Sequence, residues 1–140
     1  MLIGSYTHAI DAKKRMRIPS KFKNELGNGC IITKGTNKNL FIFSAEQFSS
    51  LYEKMINLPL FDEEAQKPVR KFLSSAFEAE EDAQGRVLLS KELIKFAEIT
   101  KNIVFVGVGN RIEIWAEEIW DKENSDDDKF DFSILAKFGV

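Results

Sequence analysis

Short apolar runs, each bounded by a polar turn or a helix-starting residue, occur twice along this chain in the same order. The segment Asp11-Ala-Lys-Lys-Arg15 precedes the strand-like run Met16-Arg-Ile18. Its counterpart, Asp82-Ala-Gln-Gly-Arg86, precedes Val87-Leu-Leu89 at a shift of 71 positions (82 − 11). Self-similarity at a fixed period indicates a duplicated structural unit.

The remaining parts of the two copies also match. Ile31-Ile-Thr-Lys-Gly35 corresponds to Ile103-Val-Phe-Val-Gly107, and Asn39–Phe43 corresponds to the slightly longer Asn110–Trp115. A helix-start signal follows the first strand pair and the second strand pair in both copies. Each copy is therefore predicted to contain, in order, a strand, a tight turn, a strand, a short helix, two strands and a helix.

A segment between the copies breaks the pattern. Residues 46–57 carry apolar side chains at helical spacing, Leu58-Pro59-Leu60 interrupts them, and a second amphipathic stretch begins at Asp62. Ser44 and Gln47 have capping-box spacing, and Pro68 is expected near the start of the second helix, where its missing N–H matters least. These features predict a helical hairpin that packs over the strands.

Charge is distributed unevenly although the net charge is only −2. Residues 116–132 contain eight acidic residues and two lysines, a local charge of −6. Residues 11–23 contain one acidic residue and six basic residues, a local charge of +5, so this is where an anionic partner is expected: Lys13, Lys14, Arg15, Arg17, Lys21 and Lys23.

The composition of the chain excludes several classes of protein, and the single residues that could form a catalytic or metal site lack the partners that such a site needs. Cys30 is the only cysteine, which excludes an intrachain disulfide and a multi-cysteine metal site. No apolar run approaches the roughly 20 residues that span a bilayer, and the first residues do not resemble a secretory signal, so a cytoplasmic location is expected. His8 and Cys30 are interpreted as structural, Gly107-Val-Gly109 is not a dinucleotide fingerprint, and Asp126–Asp128 lacks the other residues of a calcium loop. No enzyme activity, cofactor or metal is predicted.

The doubled Asp-x-x-x-Arg segment, followed each time by an apolar strand, resembles the MraZ family. The resemblance extends from Gly4-Ser-Tyr-Thr-His-Ala-Ile-Asp11 to about Trp120 and includes Ile18-Pro19 and Ile112-Glu-Ile-Trp115. It implies a β-rich α+β fold made of two tandem AbrB-like (SpoVT-like) swapped-hairpin half-units, with a pseudo-twofold, β-barrel-like core. It also implies a homo-oligomeric ring that binds short direct repeats of double-stranded DNA upstream of the operon for division and cell-wall synthesis.

The expected organisation has four parts. They are a first repeat at 1–48, the connecting helical hairpin at 49–77, a second repeat at 78–120, and an acidic, flexible C-terminal tail at 121–140. A regulator of this kind is expected in the cytoplasm, associated with the nucleoid and not with a membrane.

Candidate DNA-binding residues lie on the two turns. We expect Arg15 to read bases, because a guanidinium can bond guanine O6 and N7 together. Lys13, Lys14 and Arg17 are expected to contact phosphates, with Arg86 as a secondary contact. Structural roles in the turns, by hydrogen bonding or positive φ, are expected for Asp11, Asp82 and Gly85.

Lys14 departs from the family pattern, which has glycine before this arginine. If the backbone there needs positive φ, the lysine costs on the order of 1 kcal/mol. The second turn is preceded by Glu78, Glu80 and Glu81, a poor surface for phosphate, so the first turn is expected to dominate DNA contact.

Two other classes of function remain open at this stage. One is a protein-interaction module on the same fold, such as an antitoxin or an assembly protein. The other is a small enzyme, which is disfavoured because no nucleophile or acid–base constellation is evident.

Overall fold

The fold is described from a computed structural model, which covers residues 1–125 and 131–140. The strands in these residues are β1 (Ile3–Ala9), β2 (Arg15–Met16), β3 (Ile31–Lys34), β4 (Leu40–Phe43), β5 (Phe77–Glu78), β6 (Val87–Leu88), β7 (Asn102–Val108) and β8 (Ile112–Ala116). The helices are α1 (Ser20–Leu26), α2 (Ala45–Ile56), α3 (Glu63–Ser75), α4 (Lys91–Phe96) and α5 (Glu117–Glu123), followed by a 3-10 helix at Phe132–Phe138.

The order of these elements confirms the mixed α+β, β-rich architecture and the predicted sequence of elements in each copy. In the first copy the order is β1, β2, α1, β3, β4 and α2, and in the second it is β5, β6, α4, β7, β8 and α5. The helix α3 connects the copies. Helix α5 continues to Glu123, beyond residue 120 at which the second repeat was expected to end.

The two copies exchange strands within one antiparallel sheet. The six strands have the order β1-β7-β8-β4-β3-β5. Strand β1 of the first copy thus pairs with β7 of the second, and β5 of the second copy pairs with β3 of the first. The sheet is open, with β1 and β5 at opposite edges, and does not close into the barrel-like core that was expected.

Strands β2 and β6 lie outside this sheet and form a separate two-stranded ribbon. Arg15 is opposite Leu88, and Met16 is opposite Val87. Met16 and Val87 are each only 1% exposed and belong to the hydrophobic core. The ribbon is therefore anchored by one apolar residue from each copy, and the turns that precede its strands are held side by side.

The helical hairpin predicted between the copies is present. The Ser44 hydroxyl accepts a hydrogen bond from the Gln47 N–H, and Asp62 accepts one from the Ala65 N–H, which satisfies an otherwise unpaired donor at the start of each helix. Pro68, expected near the start of the second helix, is the sixth of the thirteen residues of α3. No helix in the described ranges is long and apolar enough to cross a membrane.

Candidate nucleic-acid interface

The two Asp-x-x-x-Arg segments form turns with the same hydrogen bonds. The Asp11 carboxylate accepts from the backbone N–H of Lys13 (2.9 Å) and of Arg15 (2.9 Å), and from Nε of Arg15 (2.7 Å). Asp82 accepts from the corresponding groups of Gln84 and Arg86, each at 2.9 Å. Each aspartate therefore fixes both the backbone of its turn and the base of the arginine that follows.

The residue before each arginine adopts a left-handed backbone conformation. Lys14 has a φ of 65° and Gly85 a φ of 76°. Their N–H groups donate equivalent hydrogen bonds of 3.0 Å to the carbonyl oxygens of Asp11 and Asp82. Because glycine adopts this conformation without steric cost and lysine does not, the first turn has a more strained backbone than the second.

Arg86 connects the two turns. Its Nε lies 2.9 Å from Oδ2 of Asp82, and its Nη1 lies 3.8 Å from Oδ2 of Asp11, the same oxygen that accepts from Arg15. The side chains of Arg15 and Arg86 are 26% and 23% exposed. Both guanidiniums are thus held at their inner ends while part of each remains accessible to solvent.

A shallow depression of about 310 Å³ lies beside the two turns. Arg17 is exposed, and its carbonyl oxygen lies 3.0 Å from Nδ1 of His8. His8, interpreted as structural, also packs against the Phe105 ring, with the centroids 5.6 Å apart. The sequence did not show that this histidine faces the arginines, because nothing local places the end of β1 beside β2. The lining residues are His8, Ala9, Asp11, Arg15, Arg17 and Arg86.

Four of the five candidate DNA-contacting residues lie within five residues of the chain, on the first turn, on β2 and directly after β2. Lys13 is exposed and Lys14 is partly exposed at the tip of the turn, with Arg15 and Arg17 beyond them. Lys23, which contributes to the basic charge of this region, instead forms a 2.7 Å ion pair with Glu81 of the second copy. The positive charge nearest the depression therefore comes from the first turn and from Arg86.

The other single-residue candidates lie elsewhere. Cys30 is half-buried, and burial raises the pKa of its thiol, which disfavours the reactive thiolate. Gly107 lies within β7, directly opposite Gly4 of β1. The Asp126–Asp128 run lies outside the described residues.

Hydrogen bonding lowers the pKa of both turn aspartates below the ordinary value of 3.8. The backbone N–H of Arg15 is the main cause of the lower pKa of Asp11, and the backbone N–H of Arg86 has this role for Asp82. A lowered pKa in the folded state means that each carboxylate stabilises the fold above its unfolded pKa. That contribution is lost as the pH falls through the folded pKa.

The turns should therefore weaken in acid. We expect the urea midpoint of the wild type to fall as the pH is lowered below about 4. Asp11→Asn combined with Asp82→Asn should be less stable at neutral pH, because an amide nitrogen faces each arginine Nε, and its midpoint should depend less on pH. Urea titrations from pH 7 to pH 2.5 measure this difference. Parallel pH profiles would show that these carboxylates do not contribute to acid unfolding.

Replacing Lys14 with glycine should stabilise the chain. Lys14→Gly removes the strain of a φ of 65°, so we expect the free energy of unfolding to rise by about 1 kcal/mol. Lys13→Gly is the matched control, because Lys13 precedes it in the same turn and is not among the positive-φ residues of the described chain. The control should be neutral or destabilising in chemical denaturation. A gain in both variants, or in neither, would contradict the role assigned to backbone strain.

Comparison with known proteins identifies the class to which these paired turns and exchanged strands belong. The family model described as "MraZ protein, putative antitoxin-like" matches the chain twice, at residues 1–71 and 72–137. The chain is 44% identical over 137 residues to a protein of Clostridium tetani, covering 98% of this chain and 95% of that protein. It is 46% identical over 124 residues to one of Clostridium acetobutylicum, covering 89% and 87% respectively.

A protein of Thermoanaerobacter pseudethanolicus is 42% identical over 128 residues, which is 91% of this chain and 90% of that protein. All three relatives carry the name "Transcriptional regulator MraZ". The chain is thus a duplicated α+β protein with two matched Asp-x-x-x-Arg turns. It belongs to the MraZ family.

Proposed function

We propose that this protein is a sequence-specific, DNA-binding transcriptional regulator that contacts double-stranded DNA through the first turn and the β2–β6 ribbon. The observation that carries the proposal is the pair of matched turns, which present arginines beside one depression and place Lys13 and Lys14 at an exposed tip. A two-stranded ribbon has dimensions suited to the major groove. The name shared by the relatives supports the same function.

Each residue of the turns has a proposed role. Arg15 reads guanine, while Lys13, Lys14 and Arg17 neutralise phosphates and release counterions. Asp11, Asp82 and Gly85 shape the turns and do not contact DNA, because carboxylates repel phosphate. This division assigns specificity to one side chain and affinity to its neighbours.

Arg86 is a secondary contact because two carboxylates already surround it. Its guanidinium lies near Asp82 and Asp11, and Glu81 lies at the same turn, paired with Lys23. Acidic residues next to the second turn reduce its attraction for phosphate. The first turn therefore supplies most of the contact with DNA.

The reciprocal pairing of β1 with β7 and of β5 with β3 supports an AbrB-like swapped-hairpin arrangement, in which the two half-units interlock within one chain. We further propose that several chains form a ring that presents the first turn at regular intervals. Such a ring binds short direct repeats of DNA, because linked contacts make the later binding steps intramolecular. The family resemblance implies an operator at the division and cell-wall operon and a nucleoid-associated protein in the cytoplasm.

Selection of bound duplexes from a random DNA pool tests the proposal most directly. We expect enrichment of a short guanine-containing motif, repeated in one orientation at a spacing near one helical turn, about 10 bp. Light scattering on the same preparation should give a mass several times that of one chain. Binding without an enriched motif would contradict specificity, and a stable monomer would contradict the ring.

A protein-interaction module is the second candidate, favoured by the exposed apolar residues between α2 and α3. Leu60 is 73% exposed and Phe61 is 96% exposed, and exposed apolar patches often mark protein contacts. Leu60→Ser with Phe61→Ser distinguishes the two functions. If the chain is an interaction module that binds through this turn, the wild type should select no DNA motif and the variant should lose the protein partner. If the chain is a DNA-binding regulator, the variant should keep the motif that the wild type selects.

A further inference from the structure

We propose that the apolar C-terminal segment of one copy of this chain, residues 131–140, docks into a basic-rimmed apolar cleft beside α2 and α3 of a second copy. The proposal rests on the ring suggested above and names the surfaces that would join neighbouring subunits. The occupant of the cleft is a second copy of this chain.

The C-terminal segment forms a 3-10 helix whose large apolar side chains are exposed. The Asp131 carboxylate accepts a hydrogen bond of 2.9 Å from the Ser133 N–H and begins this helix. Ile134 is 57% exposed, Leu135 38% and Phe138 76%. None of the three belongs to the hydrophobic core. Three large apolar side chains within five residues are unusual in solvent, which indicates that another surface buries them.

The cleft lies on the half of the molecule that the first copy forms. It has a volume of about 330 Å³ and mainly apolar walls, enough space for one large side chain and part of another. The turn after β3 forms one wall, and α2 and α3 form the others. The lining residues are Lys34, Gly35, Thr36, Met55, Pro68, Lys71 and Phe72.

The rim of the cleft is positively charged. Lys71 lies one helical turn from Lys67 on α3, so both point to the same side of that helix. The Nζ of Lys71 is 5.8 Å from the centroid of the Phe96 ring, and the Nζ of Lys34 is 5.2 Å from the same centroid. Lys34 also pairs with Glu92 at 2.7 Å. The lysine ammonium groups are thus gathered beside an apolar surface.

The chain leading to the C-terminal segment has the opposite charge. Residues 121–131 contain six acidic residues and two lysines, a net charge of −4. An acidic stretch followed by apolar side chains therefore matches a basic rim around an apolar cleft. This charge complementarity favours docking of the segment in one orientation, with Asp131 near Lys71 and Phe138 in the cleft.

The positions of the two surfaces favour contact between copies. The segment follows α5, which packs against β7 and β8, whereas α3 packs against β3, with β4 lying between β8 and β3 in the sheet. In the structure the large apolar side chains of the segment are exposed. Because segment and cleft are different surfaces, repeated docking is head-to-tail and closes a ring when the rotation between copies permits.

Disulfide trapping between two single-cysteine variants tests the contact. In a Cys30→Ser background, Phe138→Cys and Met55→Cys are prepared separately, mixed under conditions that allow subunit exchange, and oxidised. We expect a 55–138 linked dimer, identified by mass spectrometry of the joined peptides. Ser50→Cys, exposed on the same helix and absent from the cleft lining, is the control and should give at least about tenfold less product with Phe138→Cys.

The double variant Met55→Cys/Phe138→Cys separates docking within one chain from docking between chains. An intrachain disulfide with no linked dimer from the mixture would overturn the proposal in favour of self-docking. Equal yields for Met55→Cys and Ser50→Cys would overturn it in favour of random collision.

Charge reversal gives a second, independent measurement. Lys71→Glu should lower the yield of the 55–138 link several-fold, and adding Asp131→Lys should restore much of it. Lys54→Glu, an exposed lysine of α2 outside the cleft lining, is the control and should leave the yield unchanged. If the Lys71→Glu and Lys54→Glu variants behave alike, or Asp131→Lys restores nothing, the proposed orientation is wrong.

Assembly and DNA binding report separately on the contact and on the proposed function. Leu135→Ser with Phe138→Ser should raise the concentration needed for half-assembly at least about tenfold, because two buried apolar side chains are lost. Its affinity for a duplex with a single motif should be unchanged. Unchanged assembly would overturn the docking proposal while DNA binding stands. Formation of the 55–138 link by the cysteine variants, together with a wild type that selects no DNA motif, would instead contradict the proposed function.

Discussion

Arg15→Ala is expected to cause the largest loss of DNA binding, and the loss should grow with the number of repeats in the DNA. Each guanine contact contributes about 1–3 kcal/mol of discrimination. On a ring, the same loss recurs at every engaged turn. Titration of the wild type and the variant on duplexes with one, two and three repeats, at fixed salt, measures the effect. We expect a reduction of roughly ten- to hundredfold on one repeat and a much larger one on three.

The geometry of the first turn explains why the arginine, more than its neighbouring lysines, should carry specificity. Nε of Arg15 donates to Asp11 at 2.7 Å, which restrains the plane of the guanidinium before DNA arrives. The outer nitrogens of a guanidinium held in this way suit a bidentate contact with guanine. A lysine ammonium is a point charge and carries less information about the base.

Three variants separate the loss of guanine preference from the loss of positive charge. Lys14→Ala should weaken binding to all sequences and reduce the salt dependence by about one counterion, while guanine preference remains. Arg15→Lys keeps the charge and should lose guanine preference. Arg86→Ala should have a smaller effect on affinity than Arg15→Ala, because Arg86 already lies near two carboxylates. If affinity is independent of repeat number, or Arg15→Ala retains guanine preference, DNA is not read through the first turn of a multivalent ring.

Those variants are interpretable only if the turns still form, so folding must be measured beside binding. Arg15→Ala removes the nearer side-chain partner of Asp11 but leaves Arg86 and the backbone N–H donors of Lys13 and Arg15 in place. The buried anchors Met16 and Val87 are also unchanged. Urea midpoints close to that of the wild type therefore assign a binding defect to the lost contact.

Local features of the fold could be predicted because their causes are local in sequence. Each turn is defined within five residues. An aspartate accepts hydrogen bonds from the backbone N–H groups two and four residues later, and the residue between those two N–H groups has a positive φ. The structure has this turn at Asp11 and again at Asp82. Helix starts at Ser44 and Ser90 have the same local origin, since each hydroxyl bonds an N–H three residues later.

Long-range pairing could not be predicted from the residues in the same way. Alternation of apolar and polar positions identifies a strand but does not identify its partner. The pairing of β1 with β7, about a hundred residues away in sequence, therefore appears only in the structure. The proximity of Arg86 to Asp11 and the location of His8 beside Arg17 depend on this tertiary arrangement. A barrel-like core was expected, and the open sheet also follows from which strands pair with one another.

Gly107→Ala is expected to cause a large loss of stability because it acts on that long-range pairing. A Cβ at position 107 would lie 2.6 Å from the backbone N of Ile3 and 2.6 Å from the carbonyl carbon of Leu2. Backbone atoms cannot rotate away as a side chain does, so β1 must move away from β7. We expect the free energy of unfolding to fall by about 3 kcal/mol or more, as for overpacked sites.

Val108→Ala is the matched control, because Val108 is the next residue of β7, pairs with Ile3 and is 41% exposed. It removes apolar atoms without adding a clash and should cost less than about 1 kcal/mol. Urea unfolding of both variants gives the comparison, and hydrogen exchange at the paired amides of β1 and β7 locates the change. Because β1 of the first copy pairs with β7 of the second copy, loosening β1 should also expose amides in the second copy. Similar stability losses for the two variants, or protected β1 amides in Gly107→Ala, would show that the close approach at Gly107 does not hold the copies together.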